Sequence, residues 1–207
     1  MAKKLTHYFA YGSNMHDVRL RRRLKTIIPV ETVCLEKFEL TFGKRGRDGS
    51  AKCTIESTDD DRVFGVLFRL PEDLLARLDA IEGSDYARIS VHPVGLDSGR
   101  IYRAHCYRAR PKAIVDGLLP FDWYHSFVVE GARMHELPET YVSKLENMPA
   151  RTDPNNLRRR RQYPQADRYS GKLAGYARRS VAGPKNGWFI NGCYRDRYHD
   201  VAHRFGL

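Results

Sequence analysis

The sequence predicts an α+β fold: a mixed, curved-to-closed, barrel-like sheet flanked by a few helices, with a basic C-terminal extension. Three observations carry this expectation. Strand-like and helix-like segments follow one another irregularly, without the strict alternation of a βαβ repeat. The chain has 207 residues, 42% of them hydrophobic, enough to bury one core with something left over. Charge is also divided unevenly. The formal net charge is +11, and residues 151–207 hold thirteen basic and four acidic side chains, a net +9, which leaves +2 for residues 1–150. Residues 1–150 therefore read as the domain. Residues 151–207 read as an Arg/Tyr-rich extension, partly linker and able to dock on the domain.

The elements follow in order. Residues 7–11 (HYFAY) read as a first strand, and MHDVRLRRRL (15–24) as a short helix with a basic face that ends before Pro29. VETVCLEKFELTF (30–42) alternates and is rich in β-branched and aromatic residues, the pattern of a half-buried strand. GKRGRDGSAK (43–52) reads as a glycine-punctuated hairpin loop whose spacing does not fit a P-loop. CTIES (53–57) and RVFGVLFRL (62–70) read as strands joined by an acidic turn, TDDD. Pro71 suits the first position of a helix over 72–83, with apolar residues at 74, 75, 78 and 81 and Gly83 as its stop. ARISVHPV (87–94) and RIYRAHCYRA (100–109) read as paired strands, and 121–134 and 139–147 as helices split by ELP. Beyond Pro149 the texture is that of a linker, polar and without periodicity, until aromatics return near the C-terminus.

Cys34, Cys53, Cys106 and Cys193 are far apart with no C-x-x-C pair, which suits reduced thiols filling a core. MAKKL leads almost at once into a strand-like segment without an apolar signal region, and no apolar run approaches the ~20 residues of a membrane span. These point to a cytoplasmic protein with no membrane partner.

Two places carry candidate chemistry. In YFAYGSNM (8–15) a strand runs directly into a tight polar turn. Glycine there lets backbone approach a ligand, and successive N–H groups can cradle an anion. The plain alternative is a helix start, with Ser13 or Asn14 as the cap. Glu82 closes an apolar helix face, where a carboxylate loses hydration and becomes suited to acid/base work. Its plain alternative is a solvated helix-end residue. No histidine lies at a spacing that would make Ser13 a triad nucleophile. His199 and His203 are four apart, but two imidazoles without a third ligand do not make a metal site, and none is expected.

Taken together, YFAYGSNM, then CTIESTDDDRVFGVLFRLPEDLLARLDAIEGSDYARISV, then WYHSFVVEGARMHELPETYVSKL resemble the γ-glutamylcyclotransferase family over residues 7–148. The shared features are the Y-G-S-N turn, a strand carrying Gly65, a helix ending in Glu before Gly, and a tyrosine soon after. The resemblance implies a γ-glutamylcyclotransferase-like fold and a cofactor-free enzyme of the acyltransferase or lyase type. Glu82 would be the acid/base. Tyr8, Phe9, Ala10, Tyr11, Gly12, Ser13 and Asn14 would form the substrate-cradling turn, and Tyr86 and Tyr124 would line the pocket. The Y-G-S-N form looks like the branch acting on γ-glutamyl amino acids rather than on γ-glutamyl-ε-lysine, whose turn reads Y-G-T. The implied reaction folds a γ-glutamyl amide onto its own α-amine, releasing 5-oxoproline and a free amine or amino acid.

Arg158–Arg161 with Tyr163, Arg168, Tyr169, Tyr176, Arg178 and Arg179 interleaves cations with aromatic rings, a composition that suits RNA or single-stranded DNA. Charge runs in polar segments are more often solvated linkers, so nucleic acid stands as the lesser expectation. Such an extension can also serve contacts between two copies in a homodimer, or favour an acidic substrate through its potential. Two rival readings follow: a non-catalytic binding protein on the same fold whose tail contacts nucleic acid, and a cyclotransferase for a specialised γ-glutamyl metabolite. Residues 43–52 are expected to help hold the amine half of the substrate.

Overall fold

The computed structural model describes residues 4–163. The strand expected over residues 7–11 becomes β1 (Leu5–Ala10), whose last three residues are all buried. That burial fits a central strand, and β1 lies inside the sheet, antiparallel to β3 (Ala51–Pro71) and parallel to β6 (Ala104–Ala109). The full order is β4-β6-β1-β3-β2-β5, with β2 spanning Ile28–Arg45, β4 Tyr86–Val91 and β5 Val94–Gly95.

Closure into a barrel is not made. A barrel needs its two edge strands to pair, whereas β4 and β5 stand at opposite ends of the order and β5 is two residues long. The sheet instead bends along the β2–β3 ribbon, whose register slips at three places. One of these corrects the sequence reading. Glu36 faces Arg62 while Phe38 faces Ser57, so TDDD (58–61) is an excursion within one continuous strand rather than a turn between two. Lys37, opposite it, has φ 62°, as a bulge residue often does. The hairpin loop is also shorter than expected, since β2 runs on to Arg45 and β3 resumes at Ala51.

The helices are α1 (Asp17–Leu24), α2 (Asp73–Glu82), α3 (Asp122–Met134), α4 (Glu139–Glu146) and α5 (Asn156–Gln162). Helix α2 opens two residues after Pro71 and ends at Gly83, whose φ of +77° is a backbone state that a side chain would strain. Leu75 and Leu78 turn into the core, but Ile81, read as part of the same face, is 37% exposed. On α3, Trp123, Tyr124, Phe127 and Val128 are buried, and Tyr141, Val142 and Leu145 of α4 join the same core. Among the described residues, no helix is long and apolar enough to cross a membrane.

The stretch after Pro149 departs from its linker reading as far as Tyr163. Arg151 pairs in a bridge with Phe121, and Asp153 is wholly buried. Asp153 accepts from Trp123 Nε1 (2.8 Å) and from both Arg158 Nε (2.6 Å) and Nη2 (2.7 Å), while Arg159 meets Asp122. Polar composition concealed this docking because it is made by ion pairs rather than apolar contact. The compact unit runs to Pro164. The rest of the basic extension, including Arg168, Tyr169, Tyr176, Arg178, Arg179, Cys193, His199 and His203, lies outside the described residues.

Candidate active site

Where β1 ends, the chain enters a single 3₁₀ turn (Ser13–Met15) before α1. Neither Ser13 nor Asn14 caps a helix here: no side-chain cap bond is made at the start of the turn or of α1. Asn14 reaches elsewhere. Its Nδ2 donates to Tyr8 Oη (2.8 Å) and to Glu82 Oε1 (3.1 Å), and its Oδ1 accepts from Arg23 Nη1 (2.9 Å). Arg23 Nη1 also donates to Glu82 Oε1 (3.1 Å). One amide therefore joins β1, α1 and the end of α2. Glu82 Oε1 takes both donors, and Oε2 has none among the described residues, so it is the oxygen left for an occupant.

Glu82 looks into a cavity of about 200 Å³. Tyr8, Tyr11, Gly12, Ser13, Asn14, Glu82, Tyr86 and Tyr124 all line it. Sequence-distant candidates are thus brought together. Phe9 and Ala10 are not part of the wall; both are buried in the core behind it. Gly12 is needed for close approach to β3: a Cβ there would lie 3.0 Å from Cys53 Cβ and 3.3 Å from its Sγ.

The tyrosines are held by backbone. Tyr86 Oη donates to the Cys53 carbonyl (2.7 Å), the Cys53 N–H donates to Tyr124 Oη (3.1 Å), and Tyr11 Oη donates to the Tyr107 carbonyl. Burial pushes the phenols of Tyr8, Tyr11, Tyr86 and Tyr124 well up, so all four stay neutral at physiological pH. Burial likewise pushes the Cys53 thiol up to about 12, which keeps it protonated and inert. Ser13 Oγ accepts from Arg19 Nε (3.1 Å), a donor that cannot serve as a base.

Of the cations of this wall, Arg19 and Arg23 were not foreseen as site residues, while Lys44, Arg47 and Lys52 lie in the 43–52 segment expected to help hold the amine half. Arg19 and Arg23 are four apart on α1, and i, i+4 spacing puts them on one face. The sequence signal was present but looked like a solvated basic face. Arg19 packs over the Phe127 ring at 4.7 Å, and burial, then Arg23, draw its guanidinium down to about 10, so it stays charged. Lys44, Arg47 and Lys52 come from the β2–β3 hairpin, where Lys44 and Lys52 face each other in register. No single-chain pattern marks cross-strand partners flanking a loop.

The cavity can therefore hold a small polar molecule with negative charge, place a carboxylate oxygen beside it, and surround it with neutral phenols. A sequence model of the AIG2-like family matches residues 62–145. The gamma-glutamylcyclotransferase of Bos taurus is 27% identical over 159 residues, 73% of this chain and 80% of its own. The protein of the same name from Mus musculus is 27% identical over 146 residues, 67% and 76% of the two chains. Among solved structures, an uncharacterized protein from Homo sapiens superposes with a TM-score of 0.67 at 26% identity, over 72% of this chain and 90% of its own. A gamma-glutamyl cyclotransferase superposes with a TM-score of 0.66 at 24% identity, over 71% and 89%. The resemblance read from the sequence is thus borne out: the chain is similar in sequence and in fold to proteins named gamma-glutamylcyclotransferase.

Proposed function

We propose that the protein cyclises γ-glutamyl amides, with Glu82 as the general acid/base. The observation that carries the reading is Glu82 itself: a carboxylate fixed through Oε1 by Asn14 and Arg23, in the wall of a cavity it shares with the Y-G-S-N turn. A γ-glutamyl amide brings its own nucleophile, so the protein's task is to fold the substrate until amine and γ-carbonyl meet. Such ring closure turns binding into proximity, an effect worth up to roughly 7–11 kcal/mol of barrier.

In this reading Glu82 Oε2 takes a proton from the α-ammonium, and the freed amine adds to the γ-carbonyl. The new C–N bond closes the five-membered ring as the old amide C–N bond breaks. Glu82 returns that proton to the departing nitrogen, and the second proton shed by the ring nitrogen passes to the same amine, giving 5-oxoproline and a free amine as its ammonium. Backbone N–H groups of Gly12, Ser13 and Asn14 would bind the developing oxyanion, and Arg19 would hold the glutamyl α-carboxylate. Among the described residues Ser13 Oγ is bonded to Arg19 and to no base, so the reading uses no acyl-enzyme.

The test is 5-oxoproline release from γ-glutamyl dipeptides, γ-glutamyl amines and glutathione, wild type against Glu82→Gln. Losing proton transfer should lower kcat by roughly 10²–10⁴-fold, with an unchanged melting temperature. Wild-type turnover in Glu82→Gln would sink the assignment.

A further inference from the structure

Five cations line the cavity, Arg19, Arg23, Lys44, Arg47 and Lys52, against one carboxylate, Glu82. Arg23 is matched by Glu82 (3.1 Å), Lys52 by Asp48 (2.8 Å) and Lys44 by Asp85 (3.4 Å). Among the described residues, Arg19 and Arg47 have no carboxylate within 4 Å. These two sit at different parts of the site. Arg19 lies on α1 with Ser13, at the glutamyl side of the proposed reaction. Arg47 lies at the hairpin tip, with its Nη2 only 3.4 Å from where a side chain at Gly83 would begin, next to Glu82.

The hairpin adds to this second locus. Lys44 Nζ stands 5.2 Å from the Tyr86 ring centre with its side chain 7% exposed, and its carboxylate partner Asp85 is 45% exposed. Lys52 Nζ stands 4.6 Å from the Tyr124 ring centre. A buried ammonium facing a half-exposed carboxylate is only partly compensated. With Lys52 matched by Asp48, the excess positive charge of this wall comes from Arg47 and the partly compensated Lys44, and low-dielectric walls focus that potential into the cavity.

We infer that the Lys44–Arg47–Lys52 wall is a specificity subsite for an anionic group on the leaving amine, so that the favoured substrates are γ-glutamyl amides of acidic amines. This rests on the cyclotransferase reading and names its substrate class. The shared chemistry is a side-chain carboxylate or a phosphate ester on the amine, in addition to its α-carboxylate. A neutral amine of the same size would leave Arg47 facing water, and a cationic one would meet repulsion.

The experiment compares 5-oxoproline release from γ-glutamyl-glutamate, γ-glutamyl-O-phosphoserine, γ-glutamyl-glutamine and γ-glutamyl-lysine. The enzymes are full-length wild type, Arg47→Gln and Arg47→Glu. Glutamate over glutamine changes one atom of the side chain and one charge, so the ratio of their kcat/KM isolates the subsite from general damage. The wild-type ratio should be about tenfold or more, carried mainly by KM and shrinking with salt. Arg47→Gln should cut it several-fold, and Arg47→Glu should bring it below one. The order of the carboxylate and phosphate substrates tells which anion the wall fits. Equal kcat/KM for glutamate and glutamine, or a ratio untouched in Arg47→Glu, overturns the inference while leaving the reaction standing. Silence from every substrate overturns the reaction instead. Calorimetric titration with free glutamate, O-phosphoserine and glutamine then decides the subsite. Acid-selective binding lost in Arg47→Glu supports it, and binding without selectivity overturns it.

Discussion

Asn14 is the side chain on which the site's geometry turns, because each of its polar atoms has a separate duty. Its amide nitrogen bridges Tyr8 Oη and Glu82 Oε1, and its carbonyl holds Arg23. Asn14→Ala removes all three contacts and leaves Glu82 fastened by Arg23 alone. Glu82 would then be free to rotate about its outer torsions, and proton transfer depends on position more than on affinity. The expected result is a kcat lowered by roughly 10–100-fold with a smaller change in KM, measured on the best γ-glutamyl dipeptide. A change confined to KM would show that Asn14 binds substrate rather than positioning the carboxylate. At this scale the sequence was partly legible. Turn and carboxylate could be read because each is a local pattern, a strand running into Gly-Ser-Asn and a Glu at a helix stop. Arg19 and Arg23 could not, since a basic helix face looks the same whether it meets water or a cavity.

Among the elements, α5 has the least expected consequence, for it fastens the start of α3, and α3 carries Tyr124. Asn155 caps α5 by accepting from the Arg158 N–H (2.9 Å), and Arg158 then grips Asp153 with two nitrogens. The hydrogen bonds from Arg158 hold the Asp153 carboxyl well below the usual carboxylate range. Trp123 completes the clamp through its indole N–H. In Asp153→Ala the Trp123 indole and Arg158 both lose their acceptor, which costs about 1–3 kcal/mol and loosens the packing over the ring. The melting temperature should fall, and Trp123 emission, read in a Trp188→Phe background, should shift to the red as water reaches the ring. An unmoved melting temperature would mean that α5 is only lightly attached. Helices with an apolar face, α2 to α4, were legible from periodicity. Helix α5 was not, because NLRRRRQ buries nothing and is ordered by ion pairs, one with Asp153 in the preceding loop and one with the distant Asp122. The TDDD excursion misled for the opposite reason: its composition is that of a turn, but strand pairing resumes on both sides of it.

At the scale of the whole molecule, stability should depend on pH through His16. This imidazole is 7% exposed, packs edge-on against Phe127 at 5.1 Å, and leaves its Nδ1 without a hydrogen-bond partner among the described residues. Burial draws its pKa down to about 4, with Asp17 opposing and Arg19 and His135 assisting. The unfolded chain takes up the proton near pH 6.5 and the folded chain does not until near pH 4, so the unfolded state binds more protons between these values. The contribution is complete above pH 6.5 and is lost as pH falls toward 4. Glu130, 3.6 Å from His16 Nε2, works the other way, since burial raises its carboxyl and makes its charged form less welcome in the fold as pH rises. From the His16 shift alone, urea denaturation should show a loss on the order of 1–2 kcal/mol between pH 7 and pH 5. His16→Leu removes both the titrating ring and its unpartnered nitrogen, so its stability should change less over the same interval. An identical slope in His16→Leu would place the acid sensitivity elsewhere. The result reaches back to the site, because His16 directly follows the Y-G-S-N-M turn: acid would first loosen the seam between that turn and α3, and activity should fall with stability rather than before it.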